Sequence, residues 1–167
     1  MRDDERDRIF GEWLERHKGV LFRVIHAHAS TPIDREDLFQ EIAVQLWRSV
    51  DAFRGDAAVT TWIYRVALNT AIDWTRKERR HRHGQQPLDS VAGLLTVSPG
   101  VRDPRLDWLY RQIHGLSDVD RSLALLMLDG FSYREMADIV GISENHVGVR
   151  IHRIKAALSA KRPETER

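Results

Sequence analysis

The chain has 167 residues, room for one medium or two small domains. It holds no cysteine, which excludes disulfides, Cys-based zinc sites and thiol redox sensing within it, and 26 Lys and Arg against 25 Asp and Glu exclude a uniformly basic coat. No apolar run approaches the roughly 18 residues that span a bilayer, and Met1 to Glu12 is charged where a signal peptide would be apolar, so no membrane insertion is expected and the cytoplasm fits.

In chain order, apolar spacing predicts an amphipathic helix from Asp4 to about Ala29, with Phe10, Leu14, Leu21, Val24 and Ile25 inward. Ser30-Thr31-Pro32 interrupts it. Asp34 is placed to cap a second helix running to about Val50, with Phe39, Ile42, Ala43 and Leu46 inward. Asp51 to Ala57 reads as a loop. A third helix, from near Thr60 to about Arg82, has its apolar seam at Trp62, Ile63, Val66, Ala67, Thr70, Ala71 and Trp74. Composition changes at Gly84. From there to Asp103 the chain holds Pro87, Pro99, several small residues and, as acids, Asp89 and Asp103, the composition of a linker. Asp103-Pro104 is a cap followed by proline and starts a helix that ends near Gly115. Ser117, with Asp120 three residues on, opens another that closes at Gly130.

The stretch Gly130 to Lys155 has the form of a helix-turn-helix. Ser132 caps its first helix, and Glu135 completes a capping box. Ala137 is small enough for close helix approach. Gly141 supplies the turn, and Ser143 caps the second helix. There Val147, Ile151, Ile154 and Leu158 recur at core spacing, while His146, Arg150 and Arg153 share another face. Asn145 and His146 lie in the first turn, Val149 is placed to touch a thymine methyl, and Arg150 is expected to meet either a guanine edge or a phosphate. The expected fold is therefore all-α: two small helical domains, residues 1–84 and 104–162, joined by a flexible linker over 85–103, with a tail at 163–167.

Charge is segregated along the chain. On the third helix Arg65, Asn69, Asp73, Arg76 and Arg80 recur every three or four residues and form one polar stripe. It runs into the dense positive charge from Arg76 to His83, a composition that gains affinity for phosphates by releasing counterions. The second helix has the opposite sign: Asp37, Glu41, Val44 and Arg48, flanked by Gln40 and Gln45, suit a protein partner with a basic surface. The pairs His26/His28 and His81/His83 diverge by about 200° on a helix, so one ion could not readily take both members. No metal or other cofactor is expected.

Taken together, these residues resemble the extracytoplasmic-function (ECF) sigma factors, a compact group of the sigma-70 superfamily. Asp37-Leu38-Phe39-Gln40-Glu41 followed by Leu46-Trp47-Arg48 is similar to the family's core-polymerase-binding segment. Phe53-Arg54-Gly55-Asp56, Thr61-Trp62-Ile63-Tyr64-Arg65, Asn69, Ala71-Ile72-Asp73, Arg76 and Arg80 resemble the segment that opens and reads the downstream promoter element. Gly130 to Lys155 resembles the reader of the upstream element, although the family often has Thr at the position of His146 and a small-basic-Ser-Arg run where this chain has Val147-Gly148-Val149-Arg150.

The resemblance implies a non-catalytic initiation subunit whose partners are core RNA polymerase, promoter DNA and, as is common in the family, an anti-sigma factor. It implies polymerase contacts at Asp37, Leu38, Gln40, Glu41, Val44 and Arg48. Contacts to the −10 element are implied at Phe53, Arg54, Thr61, Trp62, Arg65, Asn69, Asp73, Arg76, Lys77 and Arg80, and to the −35 element at Ser143, Asn145, His146, Val149, Arg150 and Arg153. The alternative is a helix-turn-helix regulator that acts without docking on polymerase and uses its first domain for dimerisation or sensing.

Overall fold

In the computed structural model, residues 1–82 and 103–161 are described, the side chains of His81 and Arg82 excepted. Regular structure among the described residues is helical throughout, without strands. The chain divides into two units, residues 1–102 and 103–167. Residues 85–102 of the expected linker and the expected tail lie outside the described residues.

The first unit holds α1 (Asp3–Arg16), α2 (Lys18–His28), α3 (Pro32–Ser49), a 3-10 turn at Val50–Ala52, and α4 (Val59–Arg82). The single helix expected over residues 4–29 is thus two. The break falls at His17, with φ −120° and ψ 28°, where no glycine or proline announces it. Tertiary packing explains it: α1 lies mainly on α3 and the 3-10 turn, whereas α2 lies mainly on α4. Trp13 is the buried residue of α1; Val20, Leu21, Val24, Ile25 and Ala27 are buried on α2.

The start of α3 also differs from expectation. Thr31 caps it, its hydroxyl accepting from the Asp34 N–H at 3.1 Å, with Pro32 in the first turn. A proline there loses nothing, because the first N–H groups of a helix have no partner within it. The inward residues of α3 are Leu38, Ile42 and Leu46, each fully buried, whereas Phe39, expected inward, is exposed.

α4 packs against both α2 and α3, so its buried arc is wider than one seam. Ile63, Tyr64, Ala67, Leu68, Ala71, Ile72, Trp74 and Thr75 are buried, including Tyr64, Leu68 and Ile72 outside the expected set. Trp62, placed in that set, is only half-buried. The α3–α4 pair is antiparallel and held at both ends by indoles. Trp74 Nε1–H donates to Asp37 Oδ2 at 2.8 Å, and Trp62 Nε1–H donates to Ser49 Oγ at 3.1 Å.

The second unit holds α5 (Pro104–His114), α6 (Asp118–Leu128), α7 (Tyr133–Val140) and α8 (Glu144–Ala160). Its local signals act as read. Asp103 caps α5 and Ser117 caps α6. Ser132 and Glu135 close both arms of a capping box on α7. Gly141 ends α7 in the left-handed region, φ 82°, and Ser143 caps α8. α8 packs on α6 and α7 through Val147, Ile151 and Ile154, while α6 buries Leu123, Ala124, Leu125 and Leu126.

Two consequences are measurable. Gly141→Ala forces a β-carbon into the left-handed region and should cost about 1–2 kcal/mol in urea denaturation. Gly115→Ala, at a right-handed φ of −75°, should be neutral or stabilising by up to about 1 kcal/mol. In the first unit, burial and then the neighbouring Arg16 push the His17 imidazole below its ordinary pKa. The unfolded chain therefore binds the proton first, and stability is fully present above the ordinary imidazole value and declines as pH falls toward the lowered one. His17→Gln should flatten that acid limb of the pH–stability profile.

Candidate functional site

Three surfaces carry the residues singled out from the sequence. On α3, Asp37, Gln40, Glu41, Val44 and Arg48 are exposed and lie on the side away from Leu38, Ile42 and Leu46. Leu38, expected among the contact residues, is instead fully buried; it is part of the support for this face and not of the face itself. Ile33, exposed at 53%, falls on the same outward side one turn before Asp37 and was missed, because the expected helix began after it. Asp37 has a second task, since it receives the Trp74 indole N–H. Glu41 is then the acidic side chain of this face with no fixed partner among the described contacts. Ile33 and Val44, both exposed, flank the carboxylates of Asp37 and Glu41, an arrangement that fits a basic, partly apolar partner surface.

The second surface runs along α4 and the loop before it. Asn69, Asp73, Arg76, Lys77 and Arg80 are exposed along the side opposite the buried arc, as their spacing requires. Arg65 is half-buried at the start of this stripe, and its Nε is buried without a hydrogen-bond partner. The loop after the 3-10 turn bends at Gly55, φ 80°, and leaves Arg54 and Asp56 exposed. Thr61 is half-buried. Phe53 and Trp62, expected on DNA, are built into an aromatic group. Phe53 meets Trp13 edge-to-face, centroids 5.4 Å apart, and Trp62 at 5.5 Å. Such contacts are each worth about 0.5–1.5 kcal/mol beyond the area they bury, so they fix the root of the loop.

α1 also reaches this region. Arg6 pairs with Asp51 in the 3-10 turn and sits over the Trp47 ring, 4.5 Å from its centroid. Trp47 Nε1–H donates to Asp7 at 2.7 Å. The hydrogen bond to Asp51, above all, holds the Arg6 guanidinium above its ordinary pKa.

The third surface is the outer side of α8. Ser143, Asn145, His146, Val149 and Arg153 are exposed, with the Ser143 hydroxyl engaged in capping. Asn145, Val149 and Arg153, with Tyr133, Glu144, Gly148 and His152, line a shallow concavity between α7 and α8. Gly148 forms part of its floor; a β-carbon there would stand 3.6 Å from the Tyr133 ring. Tyr133 and His152 were missed, although His152 is legible as the position opposite Val147, Ile151 and Ile154.

Arg150 departs from expectation. It is half-buried and donates through Nη1 to Asp120 of α6 at 2.8 Å. On the helix it lies nearer the buried side than Val149 does, so α6 captures it. It braces α8 against α6.

Of the two histidine pairs, the side chains of His81 and His83 lie outside the described residues, and His26 and His28 are each engaged on their own helix. His26 stacks on Phe22 and its Nδ1 lies 2.9 Å from the Phe22 carbonyl, while the His28 Nδ1 lies 3.0 Å from the Val24 carbonyl. Among the described residues no three His, Asp or Glu side chains gather to hold a metal, and no helix is long and apolar enough to cross a membrane.

These surfaces coincide with two known modules. Sigma-70 region 2 matches residues 13–81, and sigma-70 region 4 matches residues 106–158. An ECF RNA polymerase sigma-E factor of Haemophilus influenzae is 30% identical over 155 residues, covering 86% of this chain and 79% of that protein. The ECF RNA polymerase sigma-E factor of Escherichia coli K12 is 32% identical over 141 residues, covering 77% and 73%. Among solved structures, CnrH in complex with the cytosolic domain of CnrY aligns with TM-score 0.64 and 26% identity over 92% of this chain and 87% of that one. The sigma factor RpoE from Bartonella quintana, in complex with the anti-sigma factor NepR, shares the fold with TM-score 0.68 at 20% identity, covering 91% and 97%.

The chain belongs to the extracytoplasmic-function sigma factors of the sigma-70 family. It binds core RNA polymerase and directs promoter-specific initiation, and the family acts as a non-enzymatic initiation factor. The runner-up, a regulator independent of polymerase, gives way because region 2 stands where that reading needs a dimerisation or sensing domain.

The Arg150–Asp120 bond makes a stability prediction. Arg150→Ala and Asp120→Asn should each destabilise the second unit by about 1–2 kcal/mol, and the double variant should cost less than their sum. Urea denaturation of the four proteins measures the coupling. The Arg150→Ala loss in DNA binding should be alike on every upstream sequence.

Proposed function

We propose that the three surfaces divide the work of initiation. The exposed side of α3, with Asp37, Gln40, Glu41, Val44 and Arg48 and with Ile33 added, docks on a basic surface of core polymerase. Asn69, Asp73, Arg76, Lys77 and Arg80 of α4 track the non-template strand of the −10 element, and the loop from Phe53 to Thr61 receives an unpaired base. Stacking and edge contacts in a pocket are how unpaired bases are commonly held. Arg54 is the cation of that loop free to approach the strand, and Arg65 sits where the loop meets the stripe. Phe53 and Trp62 shape the pocket from behind. Asn145, His146, Val149 and Arg153 of α8, with Ser143 at its cap, face the −35 major groove; Arg150 supports them through Asp120.

The observation that carries this reading is the coexistence, on one chain, of an acidic and apolar helix face with a separate capped recognition helix. A DNA-binding regulator needs the second and has no use for the first. The modules, residues 1–84 and 104–162, each bind modestly and gain from being joined. No catalytic step belongs to this chain, and it works in the cytoplasm where polymerase is. An anti-sigma protein is a further partner, by likeness to the relative solved with NepR.

Transcription from genomic fragments by core polymerase, with and without this chain, tests the reading; absence of new start sites would refute it. Within it, Glu41→Lys should weaken core binding by about tenfold or more through like-charge contact, with little loss of fold stability. Asp37→Asn should weaken core binding less and also lower the melting temperature, because it perturbs the Trp74 bond. Titration of labelled core and thermal melting separate the two.

A further inference from the structure

Region 2 matches from residue 13 onward, so Arg6 and Asp7 precede the matched segment. Yet both are tied into the part of the fold from which the promoter-opening loop departs. Arg6 pairs with Asp51, in the 3-10 turn immediately before Phe53, and with Asp3 at 3.3 Å on its own helix. The same guanidinium covers the Trp47 ring, and Trp47 is fixed from its other polar end by Asp7. One helix turn beyond Phe10, Trp13 meets Phe53 edge-to-face. Phe53 in turn is held by its own N–H, which donates to the carbonyls of Ser49 and Val50, both at 3.2 Å. Apart from the Arg6–Asp3 pair within α1, these contacts land on the loop's root, residues 47–53, and none on its tip, where Arg54, Gly55 and Asp56 are exposed.

We propose that the first two turns of α1 are a positioning clamp for promoter opening, with Arg6 and Asp7 as positioning residues that fix the loop from Phe53 to Thr61 in its base-receiving place. The reasoning is geometric. A loop that captures one unpaired base must hold its pocket while the duplex is still closed, because a pocket formed only on capture adds an ordering cost to the opening step. The 3-10 turn is short and exposed at Asp51 and Ala52, so its own backbone bonds hold it weakly. An ion pair, a cation–π contact and an edge-to-face ring pair from α1 supply the missing restraint. Arg6 and Asp7 touch no DNA in this arrangement; they act through Asp51, Trp47 and Phe53.

This inference rests on the assignment of that loop to the −10 element, and the test keeps the two apart. Arg6→Ala and Asp7→Leu chains are assembled with core polymerase on a promoter mapped with the unaltered chain, and permanganate reactivity of the melted region is followed in time. Both variants should bind core as the unaltered chain does and open the promoter about fivefold more slowly. Abasic sites are then placed one at a time along the non-template strand. At the position whose base the loop receives, the Arg6→Ala and unaltered chains should open at the same rate, since there is no base left to position. Merely lowered stability would slow opening at every position alike, and that result overturns the proposal. Unchanged opening in both variants overturns it too, as does a loss of core binding, which would assign α1 to the polymerase contact. Asp7→Leu keeps the branched shape, removes the acceptor for the Trp47 N–H and guards against a misfolded Arg6 variant. If no abasic position affects opening by the unaltered chain, the loop assignment itself fails.

Discussion

The antiparallel pairing of α3 and α4 is the constraint on which the first unit depends. Each helix buries one side and exposes the other, and the two exposed sides have opposite charge. Leu38, Ile42 and Leu46 on α3, and the wide buried arc of α4, fix the rotation of both helices. The Trp74–Asp37 and Trp62–Ser49 bonds fix their sliding. A rotation of α3 by one position, about 100°, would carry Leu38, Ile42 and Leu46 off the core. Acidic and basic surfaces are kept apart by that register alone, since they occupy consecutive helices of one small core. Asp37 shows the economy of the arrangement: one oxygen receives an indole N–H, and the carboxylate still sits on the outer face.

The second unit meets the same problem with less material. α8 buries Val147, Ile151 and Ile154 on α6 and α7 and leaves its other side open. Caps at Ser132 and Ser143, and the left-handed Gly141 between them, set the angle at which α8 leaves the turn. Arg150 lies at the border of the two sides. Its bond to Asp120 decides in favour of the core, and this leaves Asn145, His146, Val149, His152 and Arg153 as the exposed set on α8. That set is rich in neutral and apolar groups, and its floor at Gly148 is open because no side chain fills the space beside Tyr133.

Rigidity in the first unit is graded in a way that matches its chemistry. The α3–α4 pair is a packed core, the 3-10 turn is held by side chains from α1, and the loop tip is exposed around a positive-φ glycine. On the proposed roles, a polymerase-docking face benefits from a fixed helix, whereas a base-receiving loop needs a firm root and an accessible tip.

The sequence by itself determined the helical class, the two-part organisation, the caps and turn of the helix-turn-helix, and the polar stripe of α4. These are local signals: a serine cap, a glycine at a left-handed turn and a three–four spacing act within a few residues and need no partner. The acidic face of α3 was legible for the same reason, as a row of like residues on one side of a helix. Only the tertiary structure decided the rest. The break at His17 follows from α1 and α2 packing on different neighbours, and the exchange of Leu38 for Phe39 in the core follows from which way α4 lies. The burial of Tyr64 and Leu68 needs two helices on α4 at once. Arg150 looked free on its own helix and was claimed by Asp120, thirty residues earlier in the chain, and Arg6 was claimed by Asp51 in the same way. Spacing along one helix tells which residues share a side; it cannot tell which neighbouring helix stands beside that side, and that neighbour decides whether a charge is offered to a partner or spent inside the fold.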